Sequence, residues 1–311
     1  MKNFLNKFHI VFIIAALAVS AAGCGRVMIG NALPSDVLYV VGDEQTSLAE
    51  AQFRVIEVME SYGEQPDSFW TMAIGESSMK EYVREGVCDE MLKITVSVLM
   101  ADKMAVYLTD EEQLAIATAA SDAYTRELSK HDLNALNISI STVRSLYTKQ
   151  ALYEKVVERL TENLSGSISQ ADTKVIEISY VQIPISVALN EVEAMRMEII
   201  NGSDFETVCK KYGYSPEMIK VTARGEMPSA VDNIAFALYD GEISEIIETD
   251  SGLYLVQCVE DYLISESEAN YNRVLSDAKN QAFSDYYESF TENIVIRFNA
   301  DVWNEINILD L

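Results

Sequence analysis

The apolar positions of the chain recur at helical spacing near both ends and alternate as in strands in between. Residues 37–44 begin with an apolar run that a turn ends, which is typical of a short strand. Ser47 with Glu50, and Thr109 with Glu112, have the spacing of a helix capping box. Together with the apolar spacing, these signals predict four helices, over residues 48–62, 76–108, 109–128 and 141–164.

The composition changes at residues 165–170, which form a small polar linker. The segment after it is rich in β-branched residues, and the elements predicted there are a strand at 175–185, helices at 189–200, 204–212 and 233–238, and a closing strand at 252–259. A long amphipathic helix at 266–293 and a last strand at 294–298 follow. The predicted fold class is α+β: a mostly helical module with an α+β domain between its N-terminal and C-terminal parts.

The N-terminal residues have the features of a secretion signal. Two lysines precede an apolar stretch at residues 10–19, which is too short to span a bilayer comfortably. The sequence Ala-Ala-Gly-Cys then resembles a lipobox, in which Cys24 is acylated, although Ala21 stands where Leu is usual. We therefore expect a lipoprotein signal peptide at residues 1–23, a tether at 24–36, and lipid anchoring at the extracytoplasmic face of the cell membrane. The alternative is a plain secretory signal with a free Cys nearby.

The chain is strongly acidic, with 49 Asp and Glu residues against 23 Lys and Arg, and a formal net charge of −26. Such a surface argues against binding to nucleic acid and against direct adhesion to anionic lipid headgroups. It attracts basic segments of unfolded secreted chains, although a high net charge also serves solubility alone.

Histidine and cysteine are too scarce for most metal and nucleophile chemistry. The histidines are His9, in the signal segment, and His131. We therefore expect no metal cluster, no Ser–His or Cys–His catalytic pair and no cofactor. Past Cys24 three cysteines remain, and an odd, sparse set is not a disulfide framework. Cys209 and Cys258 occupy apolar faces and are expected to be buried as small hydrophobic residues; a bridge between them is the alternative.

Several short motifs in the strand-rich segment resemble the parvulin family of peptidyl-prolyl isomerases. Residues 201–212 resemble the stretch in which a parvulin helix ends at Gly and restarts at a buried Phe, here Phe205. The ordered set of motifs covers residues 175–262. Its other members are Gly225-Glu-Met227, Ala235-Phe-Ala-Leu238, Gly241-Glu-Ile-Ser244 and Gly252-Leu-Tyr-Leu-Val-Gln257.

The segments on either side resemble the SurA and PrsA group of secretion chaperones. In that group a strand and helices precede the parvulin domain, and a C-terminal helix returns to pack on the N-terminal module. Val41-Gly42-Asp43 fits the opening strand and turn, and Trp303 fits the late strand. The resemblance implies a helical chaperone domain at 37–168, a parvulin-like domain at 169–263, and a C-terminal helix and strand at 264–311.

The same resemblance assigns candidate site residues. Met227 and Phe236 match residues that surround the bound proline ring, and Val231 stands where a Phe is expected, which implies a shallower pocket. Tyr180 and Tyr254 fall at the two His positions of the family, and the family's Cys or Asp has no clear equivalent. The alternative is that both tyrosines are ordinary strand aromatics and that Met227 and Phe236 are only core residues.

The function implied by the resemblance is that of a lipid-anchored foldase or chaperone. Its partners are unfolded or partly folded secreted proteins and proline-containing peptides, and its parvulin-like domain has weak or no isomerase activity. The 12 Met and 16 Tyr residues permit adaptable apolar surfaces for such partners. An active prolyl isomerase is the first alternative, and a structural or ligand-binding surface lipoprotein is the second.

Overall fold

The computed structural model describes residues 27–29 and 33–311. The predicted signal peptide, Cys24 and part of the predicted tether lie outside the described residues. The chain divides into two compact units: residues up to 160 together with 282–311 form the first unit, and residues 161–281 form the second. Within the described residues, no helix combines the length and the apolar composition that crossing a membrane requires.

The elements are numbered here in chain order. The strands are β1 (Val27–Ile29), β2 (Val37–Val41), β3 (Glu44–Ser47), β4 (Ala73–Ile74), β5 (Ser77–Ser78), β6 (Val175–Ile183), β7 (Glu217–Ala223), β8 (Ile247–Thr249), β9 (Gly252–Glu260) and β10 (Ile296–Phe298). The helices are α1 (Leu48–Ser61), α2 (Asp67–Trp70), α3 (Met79–Lys103), α4 (Asp110–Leu128), α5 (Ile140–Thr161), α6 (Gln170–Thr173), α7 (Leu189–Ile200), α8 (Phe205–Lys211), α9 (Ser229–Ala235), α10 (Ile264–Thr291) and α11 (Ala300–Asn304).

The sheet of the first unit joins its N-terminal and C-terminal segments, in the strand order β1–β10–β2–β3. β2 and β3 form an antiparallel hairpin, and its turn holds Gly42 at φ +58°, a left-handed conformation that favours glycine. β10 pairs antiparallel with β2, and β1 pairs parallel with β10. The last strand of the chain therefore completes the sheet that the first strands begin.

Helices α1, α3 and α4 begin at capping boxes, in which the cap and the third helical residue satisfy each other's backbone N–H groups. Two of these boxes, at Ser47 and Thr109, are predicted from the sequence. The helices bury one core with the sheet, and its fully enclosed side chains include Phe53, Met91 and Leu146. Residues 282–311 add Phe283, Tyr287, Ile296 and Trp303 to this core.

The second unit is built on an antiparallel sheet in the order β7–β6–β9–β8. Alternation along the central strand β9 sends Leu253 and Leu255 to one face and Tyr254 and Val256 to the other. Side chains of α7 and α8 cover the first face. Those of α9 and the loop before it cover the second, which is the face that carries the candidate site residues.

The predicted fold class, α+β with one domain between the two parts of a mostly helical module, is confirmed. The helix predicted over 189–200 has the bounds of α7, and the predicted closing strand is one residue shorter than β9. The two compact units divide at positions other than 168 and 263. The predicted domain boundaries stay predictions.

In the second unit one predicted helix is misplaced and one strand is missed. The helix predicted over 233–238 instead runs from Ser229 to Ala235, because Pro228 stands at its start, where a proline costs no helical hydrogen bond. Strand β7 is not predicted at all. It is an edge strand that pairs only with β6 and is exposed over most of its length, so it lacks the apolar alternation of a half-buried strand.

Candidate functional site

The two tyrosines that the resemblance assigns to the family's His positions lie on neighbouring central strands of the second unit, Tyr180 on β6 and Tyr254 on β9. In the register of the strands Tyr180 is opposite Val256, so the two tyrosines are diagonal neighbours on one face. Their ring centroids are 6.1 Å apart with an interplanar angle of 30°. The structure therefore places the two rings side by side, and their assignment to the site stays a prediction.

The hydroxyl groups of these tyrosines bond to other partners and not to each other. Tyr180 Oη donates to Glu217 Oε2 at 3.0 Å, and Tyr254 Oη lies 3.1 Å from Ser251 Oγ. Partial burial and the nearby Glu217 carboxylate raise the pKa of Tyr180 above its usual range. Its phenol stays neutral at physiological pH and offers one donor and weak acceptor capacity.

A bulge in β7 explains why Glu217 meets Tyr180. β6 residues 178 and 180 are opposite Lys220 and Glu217, so β7 contains one extra residue over this stretch. Ile219 lies within it at φ +56°, a conformation that a β-branched residue rarely adopts. The extra residue turns Glu217 toward Tyr180, and the sequence gives no sign of it.

The candidate proline-pocket residues form one cluster with Tyr254. Met227, Val231 and Phe236 pack together on the α9 face of the sheet, with Tyr180 at the edge of the cluster. Their exposed fractions are 9%, 0% and 5%, so they are enclosed rather than lining an open cleft. A proline ring can reach them only where neighbouring side chains move aside.

Arg224 lies over this cluster, a contact that the sequence does not reveal. Its guanidinium carbon is 4.5 Å from the centroid of the Phe236 ring, within the range of a cation–π interaction. The side chain is held there by two oxygen atoms: Arg224 Nε donates to the carbonyl of Ala171 at 3.1 Å, and Nη1 lies 3.4 Å from Asp232 Oδ2. These contacts hold the guanidinium against one face of the Phe236 ring.

Asp232 positions the loop that contains Arg224 and Met227. This buried carboxylate on α9 accepts a hydrogen bond from the Gly225 N–H at 2.9 Å, in a turn where Gly225 takes φ +84°. Asp232 thus holds the turn and the guanidinium together. The sequence shows a carboxylate next to the apolar residues of a short helix, and it gives no partner for that carboxylate.

The cysteines provide no nucleophile for this site. Cys209 and Cys258 are both free and fully buried, so the alternative of a bridge between them is wrong, and the expectation of buried thiols is correct. Burial raises the pKa of the Cys209 thiol to about 12 and that of Cys258 to about 11. Both groups are therefore protonated at neutral pH and unreactive.

Comparison with known proteins agrees with this arrangement. Residues 186–260 match the rotamase family, described as the PPIC-type PPIase domain. The matched range contains Met227, Val231, Phe236 and Tyr254, and it begins after Tyr180. No curated protein gives a significant match to the sequence.

Three solved structures show the range of similar folds. The peptidylprolyl isomerase PrsA of Bacillus cereus is 14% identical, with 76% of this chain and 93% of that chain covered and a TM-score of 0.31. The foldase protein PrsA of Lactococcus lactis is 11% identical, with coverages of 86% and 96% and a TM-score of 0.32. A SurA-like chaperone of Campylobacter jejuni is 11% identical, with coverages of 85% and 99% and a TM-score of 0.26.

The family match and the geometry of the site concern the same part of the chain. The matched residues supply β7, β8, β9, the three helices α7, α8 and α9, and four of the five candidate site residues. The chain therefore contains a parvulin domain, of the PPIC-type peptidyl-prolyl isomerase family.

Proposed function

We propose that the protein is an extracytoplasmic foldase, anchored by lipid on Cys24, that binds unfolded or partly folded secreted proteins. In this proposal the parvulin domain binds proline-containing peptides and has weak or no isomerase activity. The observation that supports the second point is that the hydroxyls of Tyr180 and Tyr254, which the resemblance assigns to the family's His positions, are bonded to Glu217 and Ser251.

The chemistry of proline isomerisation explains why this pair matters. Rotation about the X–Pro bond must cross a barrier of roughly 18–20 kcal/mol, and no covalent intermediate is needed. An isomerase lowers that barrier by desolvating the amide and by orienting polar groups toward its twisted form. Hydroxyls already bonded to Glu217 and Ser251 are poorly placed to contribute, and Arg224 covers the Phe236 ring that a proline must contact.

An active isomerase remains the alternative that a specific observation favours. Met227 and Phe236 retain the side-chain types of the family's pocket and lie in one cluster beside Tyr254. A shift of Arg224 away from Phe236 exposes an apolar surface of the right composition. The cis–trans exchange rate of a proline tetrapeptide in the presence of the wild-type protein separates this alternative from the proposal.

The proposed binding of unfolded proteins is tested by measuring whether the protein suppresses their aggregation. We expect the full chain to keep a chemically unfolded secreted protein in solution at near-stoichiometric ratios, as measured by light scattering during dilution from denaturant. Because a net charge of −26 can itself suppress aggregation, the control is an unrelated folded protein of similar size and charge. Equal scattering with the full chain and with this control contradicts the foldase proposal and favours a structural surface lipoprotein.

A further inference from the structure

Three side chains from two distant segments of the chain converge in the first unit. Glu60 is near the end of α1, Glu127 is in the last turn of α4, and His131 follows four residues later. Each offers one ligand-type atom, and these atoms all lie within 4.8 Å of one another. The proposed function uses none of them.

The spacing of two of these atoms fits a shared ion. His131 Nε2 lies 3.4 Å from Glu60 Oε1. Zinc bonds to nitrogen and oxygen of about 2.0–2.2 Å place two ligands of a tetrahedral ion roughly 3.3–3.6 Å apart. The two atoms therefore need almost no movement to bind the same ion.

The Glu127 carboxylate is the independent sign of a missing partner. Its side chain is only 1% exposed, and Oε1 accepts a hydrogen bond from Arg126 Nε, but Oε2 has no hydrogen-bond partner among the described residues. Lys130 Nζ lies 3.8 Å from Oε2 and also bonds to Glu60 Oε2. Oε2 therefore points toward Glu60, and a buried carboxylate oxygen is costly unless a cation or donor satisfies it.

His131 is held with one ring nitrogen available. Its Nδ1 lies 2.9 Å from a main-chain oxygen of Leu311, and its Nε2 faces Glu60. In the tautomer that donates from Nδ1 to this oxygen, Nε2 is the nitrogen that can bind an ion. A hydrogen bond from the second ring nitrogen to a carbonyl is the usual support of a metal-binding histidine.

We infer that Glu60, Glu127 and His131 bind a divalent transition-metal ion, with zinc as the ion to test. Two carboxylates and one imidazole suit zinc and its neighbours, whereas Ca²⁺ and Mg²⁺ prefer oxygen ligands alone. The ion takes the place of the Lys130 ammonium, whose side chain is 43% exposed and can turn into solvent. The single positive charge of the ammonium between the two carboxylates is then replaced by the double positive charge of the metal ion.

This site could not be predicted from the sequence. His131 has no second histidine or cysteine near it in the chain, and Glu60 is 71 positions away. The expectation of no metal cluster rested on that scarcity. A site with two carboxylates needs only one histidine, and the fold brings Glu60 to the other two residues.

The test is a calorimetric titration of the metal-free full chain with zinc chloride at neutral pH. We expect one saturable site in the wild-type protein. His131→Ala should weaken zinc binding at least tenfold, because it removes the only nitrogen ligand. Lys130→Gln should strengthen it severalfold, because the competing ammonium is gone. The matched control is Lys210→Gln, which removes an exposed ammonium from a pair with Glu206 and should leave zinc affinity unchanged.

The two lysine variants distinguish a built site from general attraction to the acidic surface. Equal strengthening of zinc binding in Lys130→Gln and Lys210→Gln would mean that the affinity depends on the net charge of the protein and not on these three ligands. This result overturns the inference. Unchanged binding in His131→Ala, or no saturable site in the wild-type protein, overturns it as well. Thermal melts of each variant establish that lost binding does not reflect lost folding.

Discussion

Asp232 is the residue that holds the Arg224 side chain over the proline-pocket cluster. It is buried on α9 and accepts from the Gly225 N–H, while its other oxygen faces the Arg224 guanidinium. Arg224 in turn lies over the Phe236 ring. One carboxylate thus fixes both the turn before Met227 and the side chain that restricts access to Phe236.

Replacing this carboxylate gives a prediction at the scale of one residue. Asp232→Ala should lower the free energy of unfolding by about 1–3 kcal/mol, because the Gly225 N–H and the Arg224 guanidinium lose a buried, charged acceptor. The measurement is the urea unfolding curve. Asp250→Ala is the matched control: it removes the same charge from an exposed turn residue and should change stability by less than about 0.5 kcal/mol. Equal losses in both variants would contradict the role given to Asp232.

Side-chain types in the site are easier to predict from the sequence than side-chain contacts. The resemblance assigns Met227, Phe236 and Tyr254 to one site, and the structure places them in one cluster. It does not assign Arg224 or Asp232, because their contact depends on the path of a turn relative to the following helix. No spacing rule for helices or strands contains that information.

At the scale of elements, β7 is the least regular part of the second unit. Its bulge holds Ile219 at φ +56°. Because this side chain is 65% exposed, its packing contributes little stabilisation to offset the strain of the backbone. A left-handed conformation costs a non-glycine residue about 1–2 kcal/mol. The contacts around the bulge offset this strain. β7 pairs with β6 both before and after it, and Glu217 is turned toward Tyr180.

Relief of this strain is the prediction for the element. Ile219→Gly should stabilise the protein by about 1 kcal/mol, since glycine adopts positive φ without a steric cost. Val221→Gly, two residues along the same strand, is the control and should destabilise by about 1 kcal/mol, because its backbone is ordinary. Unfolding midpoints in urea measure both. A loss of stability in Ile219→Gly would show that the bulge is not strained.

Elements with a clear apolar period are the ones that the sequence predicts well. α7 shows the apolar spacing of an amphipathic helix, and β9 is bounded by Gly252 at one end. β7 is not predicted, because an exposed edge strand has no buried face and therefore no alternation of apolar and polar residues. α9 is misplaced because its apolar residues continue past Ala235, whereas Pro228 marks its true beginning.

At the scale of the whole molecule, the first unit is assembled from two distant parts of the chain. Residues 282–311 contribute β10 to its sheet and four large buried side chains to its core. Burial of four such side chains is worth about 6–12 kcal/mol, which is comparable with the entire stability of a domain.

The fragment experiment follows from this arrangement. Residues 27–160 alone should lack a cooperative thermal transition, and joining them to 282–311 through a flexible linker in place of 161–281 should restore it. Residues 161–281 should melt cooperatively by themselves, because their two packed sheet faces form cores of their own. Calorimetry measures all three. A cooperative transition of residues 27–160 alone would contradict the dependence on the C-terminal segment.

Lipid anchoring is a second prediction at this scale. Cys24→Ala should move the protein out of the membrane fraction, because stable attachment by acylation takes two chains and this residue is their proposed site. Cys258→Ala is the control, since it removes a free, buried thiol and should leave the protein in the membrane fraction. Fractionation followed by immunoblotting gives the answer. Membrane association of Cys24→Ala at the wild-type level would rule out the anchor.

The central claim is that the parvulin domain keeps its fold and has lost most of its catalysis. The most direct test is the cis–trans exchange rate of a proline tetrapeptide with the wild-type protein, with Tyr254→Phe, and with a Met227→Ala, Phe236→Ala double variant. Each missing transition-state contact worth about 1.4 kcal/mol costs a factor of ten. We therefore predict exchange close to the uncatalysed rate in all three. A strong acceleration by the wild-type protein that collapses in the double variant would contradict the account and make the domain a working isomerase.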